Sequence, residues 1–372
     1  MNEKKIRNCI LISFAACLTA FVLCAAVIAY VDPFFHYHGP LENFPYIVDN
    51  QLTQNPGMAE HMDYDSVILG SSMTVNFETD DFRDLMGLKT LKLSYSSAYP
   101  KDISNIMEKI FASRKDGQER RIKKVFLGLD IVTYSGDVEE TKYPLPEYLY
   151  DRNPFNDVSY LLNKDVLLDY VLRPVADPEP TNLSHVYASW WTDEYYSEEW
   201  VLKGHEMPAA NETKMDPEEF VLPIEKNLDV NIIPFIEAHP ETEFVIFFPP
   251  YSILFWDNVL TENHLEATIR AYETAERKLN GYENVTMYFF PAEEKIVTDL
   301  NNYADYTHYH PRYNRYMAEC FSDGTDVIGK SGSGRAPDDG TDMKGYIEKL
   351  RGMIAEYDFD TLNEKLREYH GG

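Results

Sequence analysis

Hydrophobic and polar positions are spread very unevenly along this chain. The 23 residues from Cys9 to Val31 contain no Asp, Glu, Lys or Arg. As a helix such a run spans about 34 Å, enough to cross a hydrocarbon core of about 30 Å. Lys4, Lys5 and Arg7 precede it and Asp32 follows directly. The pattern predicts a single-pass membrane anchor over residues 9–31, with residues 1–8 as a cytoplasmic stub and everything after Asp32 outside. A cleaved signal peptide is the rival reading, with Ala25, Ala26 and Ala29 as its small residues, but the run is longer than a usual h-region. A lipoprotein signal fits less well, since Cys24 follows Leu23 and Cys17 lies early in the run.

Beyond the anchor the pattern changes. Residues 32–64 begin DPFFHYHGPLENFPY and lack a sustained period, which predicts a stalk packing onto the domain. Residues 66–70 (SVILG) form a short apolar run ending in Gly, as a buried parallel strand does. A helix is expected over 78–86 and a second strand over 90–93. Ile103, Ile106, Met107, Ile110 and Phe111 recur at helical spacing within 100–113, with Pro100 in the first turn. Residues 124–130 (KVFLGLD) make a third strand.

Residues 135–222 break this rhythm. They hold three of the four Trp residues (Trp190, Trp191 and Trp200) together with many Tyr and Pro. They read as an insertion, a lid or substrate-shaping subdomain, whose Trp residues form either its core or a platform for a glycan or acyl chain. Alternation resumes with a helix over 224–238, a strand over 243–249, a helix over 262–279 and a strand over 285–289. Shorter helices over 292–301 and 311–321 close the domain. The expected architecture is α/β over residues 65–328, with a mostly parallel sheet covered on both faces. Residues 329–342 are a linker by composition, and 343–372 a polar C-terminal helix.

Composition sharpens the location. The chain has 34 Lys+Arg against 62 Asp+Glu, a charge of −28, which argues against general affinity for DNA or RNA. Without residues 1–31 there remain 31 bases and 61 acids, so the exterior part carries −30. Cys9, Cys17 and Cys24 lie in the anchor and leave Cys320 alone outside, so no intrachain disulfide forms there. That pattern fits a bacterial surface protein better than a eukaryotic secreted one. The sequons at Asn182, Asn211 and Asn284 then read as chance matches.

Two segments fall where an open parallel sheet places its chemistry, beyond the carboxyl ends of the strands. Gly70-Ser71-Ser72-Met73-Thr74 follows the first strand, so a Ser here sits on a tight strand-to-helix turn beside free N–H groups. Asp305-Tyr306-Thr307-His308 follows the last strand–helix unit. A carboxylate three residues before a His can fix the imidazole tautomer, leaving the other nitrogen to take a proton from Ser. Asp305, His308 and His310 also compose a two-His-one-carboxylate metal set, but His310 before Pro311 more simply starts a helix. His36-Tyr37-His38 reads as interfacial aromatic packing.

The segments ILGSSMTVNF and DYTHYHPRYN resemble the SGNH (GDSL-like) hydrolases, and more closely the membrane-anchored SGNH-like proteins of Gram-positive bacteria, including the DltD-like group. QNPGMAEHMDYDSVILGSSMT and FFPPYS are similar to the same group. The resemblance spans about residues 50–321. It implies an SGNH-type fold, a flavodoxin-like three-layer sandwich, with Ser72 rather than Ser71 as nucleophile, and His308 and Asp305 as base and orienting acid. Two positions depart from the family pattern. The second block, near Ser97, has no Gly, and the third places Asp130 where the family has Asn. A carboxylate donates a hydrogen bond only when protonated, so the oxyanion would rest on the Ser72 and Ser97 N–H groups, with Asp130 as a substrate contact or a cap.

The function expected from these residues is a surface-exposed serine esterase or O-acyltransferase acting on a cell-envelope polymer, with no metal or organic cofactor. The resemblance implies a membrane acyltransferase as a further partner. The competing expectation is a non-catalytic envelope protein that binds glycans or proteins on a degenerate scaffold of the same kind.

Overall fold

Five apolar runs become the strands β1 (Ser66–Leu69), β2 (Thr90–Lys92), β3 (Lys124–Gly128), β4 (Glu243–Phe248) and β5 (Val285–Phe289). All pair in parallel, in the order β2-β1-β3-β4-β5, one of the two common doubly wound orders. Ile68 of β1 lies opposite both Lys92 and Phe126. The fold is a general α/β architecture around a five-stranded, all-parallel sheet. The computed structural model describes residues 3–115, 118–330 and 342–370. Most of the linker expected over 329–342 therefore lies outside the described residues.

The period-2 alternation of each strand decides which helices it meets. Phe126 and Phe247 share one face, where Phe77, Phe82 and Phe321 pack on them with ring centroids between 4.7 and 5.6 Å. This is the side of helices α3 (Thr79–Met86) and α8 (Arg312–Asp323). Phe244 faces the other way, toward Phe111 of α4 (Pro100–Ala112), which itself stacks on His239 at 3.8 Å. On that side α5 (Pro217–Asn227), continued by the turns Leu228–Ile232 and Ile233–Ala238, packs against α7 (Leu265–Leu279).

Several elements differ from the sequence expectation. The N-terminal helix α1 (Glu3–Val31) runs through Lys4, Lys5 and Arg7 without a break, and it is long and apolar enough to cross a membrane. The 32–64 segment contains a helix, α2 (Gln51–His61), which buries polar Gln54 and Asn55 alongside Pro56, Met58 and Ala59. Their amides are used on backbone: Gln54 donates to Pro33 O and Ile47 O, and Asn55 donates to Leu93 O and Ser94 O. Hydropathy alone cannot signal such a helix. Gly57 lets α2 cross the Phe34–Phe35 backbone, since a Cβ there would lie 2.1 Å from Phe34 O.

A further helix, α6 (Ile253–Thr261), fills the gap after β4. The C-terminal region forms two helices, α9 (Met343–Glu356) and α10 (Phe359–His370), not one. Both dock on the domain: Arg351 forks onto Glu266 at 2.7 and 2.8 Å, and Leu362 and Leu366 are buried.

The last residue of β2 is a fully buried lysine. Lys92 Nζ donates to Val75 O at 2.6 Å, Phe77 O at 2.8 Å and Ser184 O at 3.4 Å. One side chain thus ties the sheet to the segment after Ser72 and to the insertion. Burial pushes its ammonium down to about 7, with the Glu78 carboxylate pulling the other way. Lys92→Met would strand three buried carbonyls, so it is expected to lower unfolding stability by about 2–4 kcal/mol. Above the folded value the unfolded chain binds a proton that the folded chain has released, so the wild type gains stability with rising pH. Denaturant unfolding at about pH 6 and about pH 9 should show the gap between wild type and Lys92→Met widening at the higher pH.

Candidate active site

The chain leaves β1 through Gly70, whose φ of 146° suits only glycine among the common residues. A Cβ there would lie 2.7 Å from Thr74 Cγ2 and 3.1 Å from Gly128 O. The tight turn that follows, Ser72–Thr74, is built by its own side chains. Ser71 Oγ accepts from Met73 N at 3.3 Å, Thr74 Oγ1 donates to Ser71 O at 2.9 Å, and Thr74 Oγ1 also meets Ser94 Oγ at 2.6 Å. Ser71 is buried and its hydroxyl donates to Asp130 Oδ2 at 3.2 Å. Ser72 alone of the pair is turned toward His308.

The second segment is a closed loop. Tyr303 and Tyr309 form an isolated antiparallel bridge, with Ala304 N donating to His308 O at 2.9 Å. The exit of β4 holds this loop: Tyr303 OH donates to Pro250 O and Ser252 Oγ to Tyr306 O, at 2.8 and 2.7 Å. Tyr309 OH reaches Met73 O at 2.6 Å, linking the loop directly to the Ser72 turn.

These supports bring three of the expected residues into one chain of hydrogen bonds. Ser72 Oγ lies 2.8 Å from His308 Nε2, and His308 Nδ1 lies 2.6 Å from Asp305 Oδ2. The other Asp305 oxygen accepts from the N–H groups of Thr307 and His308, each at 2.8 Å. With the carboxylate so surrounded, Nδ1 carries the ring proton and Nε2 is left to accept from Ser72. Burial by itself would raise the Asp305 carboxyl, but the hydrogen bond and charge of His308 and the two backbone N–H groups outweigh it, bringing it down to about 2. Asp305 therefore stays ionised across neutral pH.

The two weaker candidates are placed differently. Ser97 is exposed in the loop after β2, in a left-handed conformation with φ 57°. No hydrogen bond joins it to Ser72 or His308 among the described residues, and the Ser72 N–H likewise has no acceptor among them. Asp130 follows β3, and its carboxyl accepts from Ser71 and from the Tyr251 hydroxyl. Burial pushes it above the usual carboxylate range, while Tyr251, Ser71 and the His308 charge pull it back. His310 turns away from the other two members of the metal set, toward Asp193 at 3.2 Å. Among the described residues, no group of three or more His, Cys, Asp or Glu side chains is placed to hold a metal ion.

The insertion supplies a wall that sequence reasoning left between two readings. Trp191 lies beside His308, ring centroids 5.1 Å apart and planes tilted by 60°, while Trp190 is 70% exposed and Trp200 half-exposed, so neither forms an insertion core. Two contacts hold this loop at the site: Ser189 N and Oγ donate to Asn76 Oδ1, and Asp193 meets His310. Tyr251, Ser252 and Tyr309 were not singled out either. The segment FFPPYS marks the first two in sequence, but nothing local shows that they face Asp130 and the His308 loop.

Gly70→Ala meets both a forbidden backbone conformation and Thr74 Cγ2. It is expected to cost about 2–4 kcal/mol in denaturant unfolding. Adding Thr74→Ser removes only the clashing methyl and should recover part of that loss, leaving about 1–3 kcal/mol of backbone strain. Comparison with protein-family models, with curated proteins and with solved structures finds no match to this chain.

Proposed function

We propose that this protein is a serine esterase or O-acyltransferase of the SGNH type, with a flavodoxin-like sandwich, acting at the cell surface on ester-linked acyl groups of an envelope polymer. The observation that carries the reading is the unbroken chain Ser72 Oγ–His308–Asp305, with contacts of 2.8 and 2.6 Å. These lengths lie within the reach needed for proton transfer. In the proposed reaction Ser72 Oγ attacks the acyl carbon as His308 Nε2 takes its proton. The Asp305 carboxylate stabilises the resulting imidazolium. As the tetrahedral adduct collapses, His308 returns the proton to the departing alcohol oxygen. The acyl group is then passed from Ser72 to water or to an acceptor hydroxyl by the reverse sequence. The Ser72 N–H supports the oxyanion, with the Ser97 N–H as second donor.

The proposed location follows from Lys4, Lys5 and Arg7, which favour a cytoplasmic N-terminus and an exterior domain. An anchored site works within reach of the membrane, which suits an envelope polymer as acceptor and a membrane acyltransferase as partner. One observation favours the second reading, a non-catalytic binding protein on the same scaffold. Asp130 places a carboxylate, not a neutral donor, beside Ser71, with two hydroxyls already committed to it.

Labelling of the full-length protein by a fluorophosphonate probe, together with turnover of a simple acyl ester, separates the two. Ser72→Ala is expected to abolish labelling, while Ser71→Ala retains it. A wild type that neither labels nor turns over ester would leave the binding reading standing. Loss of labelling in Ser71→Ala but not in Ser72→Ala would reassign the nucleophile. Asp305→Asn should preserve the fold yet reduce ester turnover by about 10³–10⁴-fold, because the imidazole loses its tautomer and its counter-charge.

A further inference from the structure

The insertion carries a second feature, on the segment that meets the end of α1. Ile28 and Val31 in the last turns of α1 are buried. α1 packs against the short helix Val158–Leu161 and the turns Val166–Leu172, which continue into Arg173–Ala176. The junction is heavily bonded. The Asp32 carboxylate accepts from the N–H groups of His36, Tyr37 and His38, at 3.0, 2.7 and 2.9 Å, and from the Tyr160 hydroxyl at 2.8 Å. Tyr37 OH donates to Asp157 at 3.0 Å, and Phe34 stacks on Tyr160 with centroids 5.3 Å apart. The segment is thereby held at the level of the last turn of α1.

The other side of the same segment is apolar and uncovered. Phe155 is 91% exposed, and Val158, Leu162, Leu168, Leu172 and Val175 are also exposed. Leu168, Leu172 and Val175 fall about one turn apart, on one face. An apolar surface of this kind marks a protein or membrane contact. Its continuity with α1 decides between them. The exposed residues of α1 run from Ile10 through Val27 to Tyr30, itself 71% exposed, and a Tyr at that end matches the headgroup level of a spanning helix. The exposed charges of the segment (Arg152, Lys164, Asp165, Asp169 and Arg173) are mixed in sign, so no basic patch selects anionic lipid.

We infer that residues 155–175 form an interfacial helix pair that inserts its apolar face into the outer surface of the bilayer spanned by α1, docking the domain in a fixed orientation. This rests on α1 being a retained membrane anchor. Interfacial helices bury such faces about 5–10 Å into the headgroup–acyl boundary. The buried Pro174 and its exposed neighbour Arg173 line a cavity of about 610 Å³ that extends to Ser96 and Ala188, so docking holds that cavity at membrane level.

The test uses the full chain in phosphatidylcholine nanodiscs, with Cys9, Cys17, Cys24 and Cys320 changed to Ala and one nitroxide per variant. Labels are placed through Leu18→Cys, Phe155→Cys, Leu172→Cys and Lys344→Cys, with collision measured against oxygen and a water-soluble nickel chelate. Docking is supported if Leu18, Phe155 and Leu172 all favour oxygen while Lys344 favours nickel. Nickel-favouring labels at Phe155 and Leu172, with Leu18 still in lipid, overturn the docking alone. A nickel-favouring Leu18 overturns the anchor reading, and the docking with it. Labels at Phe155 and Leu172 shielded from both reagents mean a protein cover, a second copy or a partner, and overturn lipid as the occupant. As a second variant, Leu168→Glu with Leu172→Glu changes exposed positions only and should keep the far-ultraviolet circular dichroism. It should return the Phe155 label to the nickel-favouring pattern, and a Phe155 label unmoved by it would count against the proposed face.

Discussion

An all-parallel sheet discharges every strand at the same edge, and each exit there has to satisfy its own backbone polar groups without a hairpin partner. Most of what is distinctive in this protein answers that constraint. Ser71 and Thr74 close the turn after β1, Ser252 and Tyr303 fasten the exit of β4, and Lys92 takes up three carbonyls behind the Ser72 turn. Two glycines permit the crowding: a Cβ on Gly70 or on Gly128 would meet Thr74 Cγ2 at 2.7 or 2.6 Å. The edge is packed tightly enough that Ser72 and His308, 236 residues apart, meet at 2.8 Å.

The same edge divides its charges unequally. Asp305 accepts from one imidazole and two backbone N–H groups, and these overcome its burial and hold it ionised. Asp130 accepts from the Ser71 and Tyr251 hydroxyls, and although these, the His308 charge and the Val132 N–H pull it down, burial prevails. Two carboxyl groups near one histidine are thus pushed in opposite directions, an arrangement that gives such groups different roles in one site. The insertion adds a third influence by placing Trp191 beside the imidazole, so a segment that breaks the α/β rhythm contributes directly to the surroundings of His308.

The sheet was legible because buried parallel strands read as short apolar runs, and the run at residues 285–289 matches β5 residue for residue. Helices with one apolar face, such as α4, were equally plain. Helices that bury polar side chains were not: α2 hides Gln54 and Asn55, whose purpose is to bond distant carbonyls. The break at Tyr357 between α9 and α10 was also missed, because periodic apolar residues continue on both sides of it. Asp305 and His308 declare themselves by spacing, and the Gly70 turn by composition. Tyr251, Tyr309 and Asn76 do not, since their partners lie far away in sequence.

What the sequence determined by itself is local: an uncharged span long enough for a membrane, five apolar strand runs, a glycine turn bearing two serines, and a carboxylate three residues before a histidine. Each depends on neighbours within a few positions, where spacing and covalent geometry decide. Only the tertiary structure brought Ser72, the serine that the resemblance already favoured, against His308, directed the hydroxyls of Ser71 and Tyr251 onto Asp130, turned His310 away, and brought the insertion against both His308 and the end of α1. Those outcomes depend on contacts between residues 59 to 236 positions apart. Strand order and packing, not local pattern, decide which of them form.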